Sequence, residues 1–217
     1  MFRKPQDDRL YVNPNPVGTL FYLGYIMSCL TNIGWIFCFD REQLTVSLIF
    51  LILIAVSLYF CVIYSMIHLH RVTNKMEKMG LKKDVWLVRI LIQNGVAFYC
   101  AWTNVASLLN VVIVLDYTPV DVDPVVCAWI ALGILNAIIL VLFVLEVFVF
   151  DSYARYTVAH YATFIVALSG ILYEQYAADT AYIYYLIFLL SLTALLGIIR
   201  LVLAIYRGCT MKNNYVV

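Results

Sequence analysis

The chain has 217 residues, of which 65% are hydrophobic and 12% are charged, with a formal net charge of +1 and a mean hydropathy of +0.92. Ordinary globular domains are about 45–50% apolar and about 25% charged, so this composition excludes a water-soluble fold of this size. The near-neutral charge gives no support for nucleic-acid binding. The composition therefore predicts an all-α, multi-pass membrane bundle.

Six stretches of the chain are candidate membrane spans, since a bilayer core requires about 20 apolar residues per helix. They are residues 17–39, 44–69, 85–115, 124–149, 157–173 and 181–206. The fifth is the shortest and least apolar, and the connections are too short for a soluble domain. We therefore expect a cytoplasmic segment at 1–16, a six-span bundle at 17–207 and a cytoplasmic tail at 208–217.

Lysine and arginine placement predicts the orientation of these spans. The connection between spans two and three is the most basic, with Arg71, Lys75, Lys78, Lys82 and Lys83. The segment before span one and the segment after span six are also basic, whereas the opposite connections are mainly acidic. We expect both termini to be cytoplasmic; the sequence does not identify the membrane.

A polar stripe runs along the third span. Its members fill an arc of roughly 140° on a helical wheel; they are Arg89, Gln93, Cys100, Thr103, Asn104, Ser107 and Asn110. The opposite side carries Phe98, Trp102, Val105, Leu109 and Ile113. Because polar groups are costly in hydrocarbon, the stripe is expected to face the bundle interior or a wet cavity.

Four ionisable residues are predicted to share the cytoplasmic leaflet: Arg89, Glu146, His160 and Arg200. A carboxylate inside a span is relieved of its desolvation by pairing with a cation. Glu146 is therefore expected near Arg200 or Arg89, with His160 as a third partner. The cluster is interpreted either as a structural ion pair or as a polar gate or proton-coupled site.

No catalytic motif is recognisable in the chain. The sequence therefore predicts a protein that is not an enzyme and has no metal site, while any cofactor stays unknown. Trp102 and Trp129 lie within spans, where they either pack or face lipid, or line an aromatic ligand pocket. Asn136 lies between the small residues Gly133 and Ala137 of span four.

Two stretches resemble long tryptophan-rich sensory proteins, which are relatives of the translocator (peripheral benzodiazepine receptor) family. Residues 32–41 (NIGWIFCFDR) are similar to an N-I-x-W-I-F segment, and residues 99–110 (YCAWTNVASLLN) to a Y-x-x-W-x-x-x-A-x-x-x-N helix. The resemblance implies a helical bundle that binds a tetrapyrrole- or sterol-like ligand, with Trp35, Trp102 and Asn104 as carried-over positions. The chain departs from the pattern in lacking a proline-rich tryptophan loop, and similar chains are expected to carry one more N-terminal helix.

The sequence therefore predicts an integral membrane protein that binds a small hydrophobic or amphipathic ligand, in transport or sensing. The candidate ligand-binding residues are Trp35, Gln93, Trp102, Asn104, Trp129 and Asn136. One alternative is a transporter or channel subunit that uses the stripe of span three as a path; another is a structural or adaptor protein. The expected partners are membrane lipids and the small ligand, not nucleic acid, and homo-oligomerisation is left open.

Overall fold

The computed structural model describes residues 14–117, 123–174 and 180–213. These residues are almost entirely helical and include no strand, which confirms the all-α class. The helices are α1 (Thr19–Asp40), α2 (Leu44–Lys78), α3 (Lys82–Leu87), α4 (Asn94–Tyr117), α5 (Pro124–Val144), α6 (Asp151–Ala154), α7 (Ala159–Glu174) and α8 (Thr180–Asn213), with π-helical segments at Val88–Gln93 and Leu145–Val149.

Five helical stretches of the described residues are long and apolar enough to cross a membrane: Thr19–Asp40, Leu44–Lys78, Lys82–Tyr117, Pro124–Val149 and Ala181–Cys209. The most apolar part of each is no more than 28% buried within the protein. The expectation of six spans was one too many by this measure. The fifth predicted span, 157–173, falls on α7, whose 16 residues extend about 24 Å, short of a hydrocarbon core of about 30 Å.

The chain divides into two compact units, the first ending at Thr103 and the second beginning at Asn104. In the first unit, α1 and α2 form a tight antiparallel pair because glycines of α1 face large side chains of α2. A Cβ added to Gly24 would lie 2.8 Å from Cys61 Sγ, and one added to Gly34 would lie 2.6 Å from the Phe50 ring. Small residues at such positions let membrane helices approach closely.

The basic connection after the second span is mostly helical, because α2 continues well beyond the predicted end at residue 69. The helix stops at Gly80, which has a φ of 76°. Gly80 N–H donates to the Glu77 carbonyl at 3.0 Å and Leu81 N–H to the Met76 carbonyl at 3.0 Å, the pattern of a glycine-terminated helix. Leu81 and Met76 are both buried, so the turn is fixed by packing as well as by hydrogen bonds.

In the second unit, α7 lies antiparallel to α8. A Cβ added to Gly197 would lie 3.1 Å from Tyr161 Cβ near the start of α7, while Ser169 and Leu190 line one cavity nearer its end. By contrast, α5 runs parallel to α8, because Trp129 near the start of α5 contacts Tyr182 near the start of α8, whereas Val147, just after α5, accepts a hydrogen bond from Arg207 near the end of α8. Although α7 is short, it therefore carries the chain back from the C-terminal end of α5 to the end of the second unit where α8 begins.

Candidate functional site

Asp151, the first residue of α6, is the centre of a charged network in the second unit. Its Oδ2 accepts hydrogen bonds from Arg155 Nη2 at 2.7 Å and Arg155 Nε at 3.2 Å. Its Oδ1 accepts one from Arg200 Nη1 at 3.0 Å and lies 2.8 Å from Arg207 Nη1. One carboxylate therefore holds three guanidinium groups, of which those of Arg200 and Arg207 tie α6 to the C-terminal half of α8.

Glu146 lies beside this network, on the second π-helical segment. Its Oε2 accepts a hydrogen bond from the Tyr161 hydroxyl at 3.2 Å. His160 Nε2 lies 3.3 Å from the same oxygen and Arg200 Nε lies 3.7 Å from it, but neither nitrogen makes a hydrogen bond within the described part of the chain. We call this group of side chains the arginine cluster; it consists of Glu146, Asp151, Arg155, His160, Arg200 and Arg207.

The environment of Asp151 favours its ionised form. Burial opposes ionisation, but the hydrogen bonds from Arg155, Arg200 and Arg207 outweigh that effect and hold the pKa of Asp151 below its ordinary value. Hydrogen bonds to a carboxylate stabilise its charged form in this way. Asp151 is therefore an acceptor of fixed negative charge, suited to organise arginines and not to exchange protons near neutral pH.

Three of the four residues predicted to form a polar cluster lie together, namely Glu146, His160 and Arg200. The fourth, Arg89, belongs to the first unit, where its guanidinium carbon lies 5.1 Å from the centre of the Trp86 ring. Cations are attracted to the faces of aromatic rings at such distances. The arrangement gives Arg89 an aromatic neighbour of its own.

Sequence reasoning missed Asp151, Arg155 and Arg207 as members of the cluster. Asp151 and Arg155 are four residues apart, a spacing at which opposite charges meet on a helix, so this pair was recognisable. Arg207 was counted only as a flanking charge. Its contact with Asp151 depends on α8 continuing as a helix beyond the end predicted for the sixth span.

Most of the predicted stripe is buried, as expected for a face turned away from lipid, while Arg89 and Ser107 are half-buried. Gln93, Thr103, Asn104 and Asn110 are all at most 9% exposed. Gln93 Nε2 donates a hydrogen bond of 3.2 Å to the Ser65 carbonyl, which joins α2 to the first π-helical segment. The opposite side is exposed at Phe98, Trp102 and Leu109, whereas Val105 is buried.

The other predicted ligand-binding residues pack against neighbouring aromatic rings. The Trp129 ring centre is 5.5 Å from that of Tyr182 and 5.4 Å from that of Tyr185. The Trp35 ring centre is 5.7 Å from that of Phe39, and its buried indole N–H reaches no hydrogen-bond acceptor among the described residues. Asn136 Oδ1 is likewise buried without a described partner.

A cavity of about 350 Å³ lies in the first unit between α1 on one side and the first π-helical segment with the start of α4 on the other. Its lining is mainly apolar and aromatic: Phe21, Tyr25, Leu91, Ile92, Gly95, Val96 and Tyr99. None of the six predicted ligand-binding residues belongs to this lining. Two residues of the lining were recognisable from the sequence. Gly95 interrupts an apolar span, and Tyr99 is the first residue of the stretch 99–110 that resembles the tryptophan-rich sensory proteins.

A second cavity, of about 540 Å³, lies between α7 and α8 and is lined by Ser169, Leu172, Tyr173 and Leu190. Tyr173 is 82% exposed, so this space is a groove at the surface of the unit. Among the described residues, no group of three or more His, Cys, Asp or Glu side chains is placed to hold a metal ion.

Long apolar helices, mostly exposed along their lengths, together with buried polar residues, define a multi-pass integral membrane protein of the all-helical class. A family model described as TSPO-like protein matches residues 14–206. The chain therefore belongs to the TSPO-like protein family, in agreement with the resemblance of its two sequence stretches. No curated protein and no solved structure matches the chain.

Proposed function

We propose that this protein binds a small hydrophobic molecule of sterol type in the cavity of the first unit. The observation that carries the proposal is the lining itself, a concave apolar and aromatic surface with the hydroxyl-bearing rings of Tyr25 and Tyr99. Ligand sites are typically clefts of about 300–1,000 Å³ with such a lining and a few polar groups. The membership of a TSPO-like family supports a membrane-embedded site.

The chemistry of the lining favours a sterol-like ligand over a tetrapyrrole. A sterol has a large apolar body and one hydroxyl group, for which a tyrosine hydroxyl is a suitable partner. A tetrapyrrole with carboxylate side chains requires cations to compensate its charge, and no lysine, arginine or histidine belongs to this lining. The proposed role is therefore binding, in transport or sensing, without catalysis.

The backbone around the cavity supports a ligand-binding role. Leu91 and Ile92 belong to the π-helical segment Val88–Gln93, and such segments within α-helices are frequent at functional sites. On the other wall, the Phe21 and Tyr25 rings are stacked, with centres 6.1 Å apart and planes within 7°. Flat, apolar surfaces of this kind suit a rigid, fused-ring molecule.

Gly95 provides a direct test. A Cβ added there meets no atom within 4 Å and Gly95 belongs to the lining, so we expect Gly95→Leu to be tolerated and to obstruct the cavity. Gly133→Leu is the matched control, because Gly133 of α5 has equally open surroundings and gains the same helix propensity. Detergent-purified protein is labelled with a photoreactive cholesterol analogue, and the labelled peptide is identified by mass spectrometry.

Labelling should map to α1 or the Leu91–Tyr99 region, fall at least tenfold in Gly95→Leu and persist in Gly133→Leu. Excess cholesterol should compete with the analogue, and protoporphyrin should compete poorly. Equal labelling of the two variants, or labelling confined to other helices, would refute the proposal for this cavity.

We also propose that both termini are cytoplasmic. The support is the basic end of the α2–α3 hairpin together with the path of the second unit, in which α7 carries the chain back along α8. The proposal requires α7 to cross the membrane although its 16 residues extend only about 24 Å, a mismatch that a bilayer accommodates by thinning locally. The accessibility of a cysteine placed at Lys78 to an impermeant thiol reagent tests this orientation.

A further inference from the structure

The arginine cluster holds more positive than negative charge. Its three guanidinium groups, those of Arg155, Arg200 and Arg207, meet only two carboxylates, those of Glu146 and Asp151. His160 adds either no charge or one more positive charge, depending on its protonation. With both carboxylates ionised, the surplus is at least one positive charge.

The surplus is concentrated at Arg200 and Arg207, which converge on a single oxygen, Asp151 Oδ1. The Arg200 side chain is 0% exposed, and its Nε and Nη2 atoms are buried with no hydrogen-bond partner among the described residues. A buried cation with incomplete compensation is strongly destabilising, and guanidinium nitrogens can only donate hydrogen bonds. An anion close to the cluster would therefore offset the surplus positive charge.

Access to the cluster runs past Arg207. Its side chain is 34% exposed, whereas that of Arg155 is 10% exposed and that of Arg200 is fully buried. Arg207 Nη1 is held in place by Asp151 Oδ1 and by the Val147 carbonyl, to which it donates at 3.2 Å. The guanidinium is thus fixed on one side and reachable on the other.

We propose that the arginine cluster is an anion-binding site for a phosphate or carboxylate group. The anion contacts Arg207 and is attracted by the buried charge of Arg200 behind it. The planar fork of an arginine matches the oxygen geometry of both groups. The site belongs to the second unit and does not depend on the hydrophobic ligand proposed for the first.

The experiment compares the thermal stability of the full chain in a neutral maltoside detergent. Sodium phosphate or sodium acetate replaces sodium chloride at constant ionic strength. In a separate arm without phosphate buffer, phosphatidylglycerol replaces phosphatidylcholine in mixed micelles. A ligand that binds only the folded protein raises the melting midpoint by about 2–4 °C when its concentration is about five times its dissociation constant.

Two variants change the charge balance in opposite directions. Arg207→Gln removes the surplus and should weaken anion binding at least tenfold, so that the rise disappears. Glu146→Gln adds to the surplus and should bind the anion at least as tightly as the unmodified protein. Lys78→Gln is the control, because Lys78 is an exposed cation of α2 and lies outside the cluster.

A rise with phosphate or acetate identifies a free anion as the occupant, and a rise with phosphatidylglycerol alone identifies a lipid headgroup. No rise in any arm would overturn the proposal. An undiminished rise in Arg207→Gln, loss of the rise in Glu146→Gln, or an equal loss in Lys78→Gln would each do the same. If Arg207→Gln fails to fold, Glu146→Gln and the unmodified protein still decide the question.

Discussion

Replacing the two carboxylates of the arginine cluster one at a time should have unequal effects on stability. Asp151 accepts hydrogen bonds from Arg155 and Arg200 and contacts Arg207, with a side chain that is only 17% exposed. Asp151→Asn removes the negative charge that these three cations share and turns an amide N–H₂ group toward other donors. Removing one partner of a buried ion pair costs about 3–5 kcal/mol.

The lower end of that range applies because the carboxylate is partly exposed. About 3 kcal/mol corresponds to a fall of roughly 6–12 °C in the melting midpoint for a chain of this size. Glu146→Gln should cost less, about 1–2 kcal/mol, because the ion pair of Glu146 with Arg200 Nε, at 3.7 Å, is too long to include a hydrogen bond. The Tyr161 hydroxyl can still donate to the amide oxygen of glutamine.

The assay is a thermal melt in a neutral detergent, in chloride buffer without phosphate or acidic lipid, followed by intrinsic fluorescence. Glu77→Gln is the control for loss of an exposed carboxylate, because Glu77 lies on the exposed face of α2. If Glu146→Gln lowers the midpoint as much as Asp151→Asn, the assignment of Asp151 as the centre of the network is wrong.

Three further predictions concern pH, packing and topology. The pKa of Asp151 is lowered in the folded protein. The stabilising effect of the ionised carboxylate is therefore complete above the pKa of the unfolded chain, near 3.9, and is lost as the pH falls through the pKa of the folded protein. The difference in melting midpoint between the unmodified protein and Asp151→Asn should accordingly be constant from pH 5 to 7 and shrink below about pH 4. Gly24→Ala should destabilise the protein by about 1–3 kcal/mol, because its Cβ would lie 2.8 Å from Cys61 Sγ and from the Phe60 ring. Gly133→Ala should be neutral or stabilising, and equal melting midpoints for the two variants would contradict the close packing of α1 on α2. The cysteine of Lys78→Cys should resist an impermeant thiol reagent in intact cells and react after permeabilisation. Labelling of the unmodified chain, which has its own cysteines, gives the background to subtract. Labelling of the variant above this background in intact cells would reverse the proposed orientation.

The sequence alone determined the class of protein and the positions of most spans. A bilayer imposes one requirement that is read locally, namely about 20 apolar residues per helix, and this located five of the candidate spans. It also separated most residues of the two faces of α4, since the burial of a helical residue follows its angle on the wheel, although Val105, predicted for the lipid side, is buried. The polar Asn104 is buried and Trp102 is half exposed, as this periodicity requires.

Helix ends were less predictable, because hydropathy reports the membrane and not the helix. The second span was predicted to end at residue 69, yet α2 continues in polar sequence to Lys78 and stops where Gly80 adopts a positive φ. In the other direction, α7 is apolar but, at 16 residues, too short for the full core. Backbone capping and length decided these two cases, not composition.

Only the tertiary structure decided which charged side chains meet and where space is left between helices. Asp151 is far in sequence from Arg200 and Arg207, and no local rule connects them. They meet because α5 and α8 run parallel, which places α6, just after α5, beside the C-terminal half of α8. The cavity lined by Phe21 and Tyr99 likewise depends on how two distant segments pack. Local periodicity determines which face of a helix is buried, but contacts and cavities are set by the side chains that the opposing helix presents.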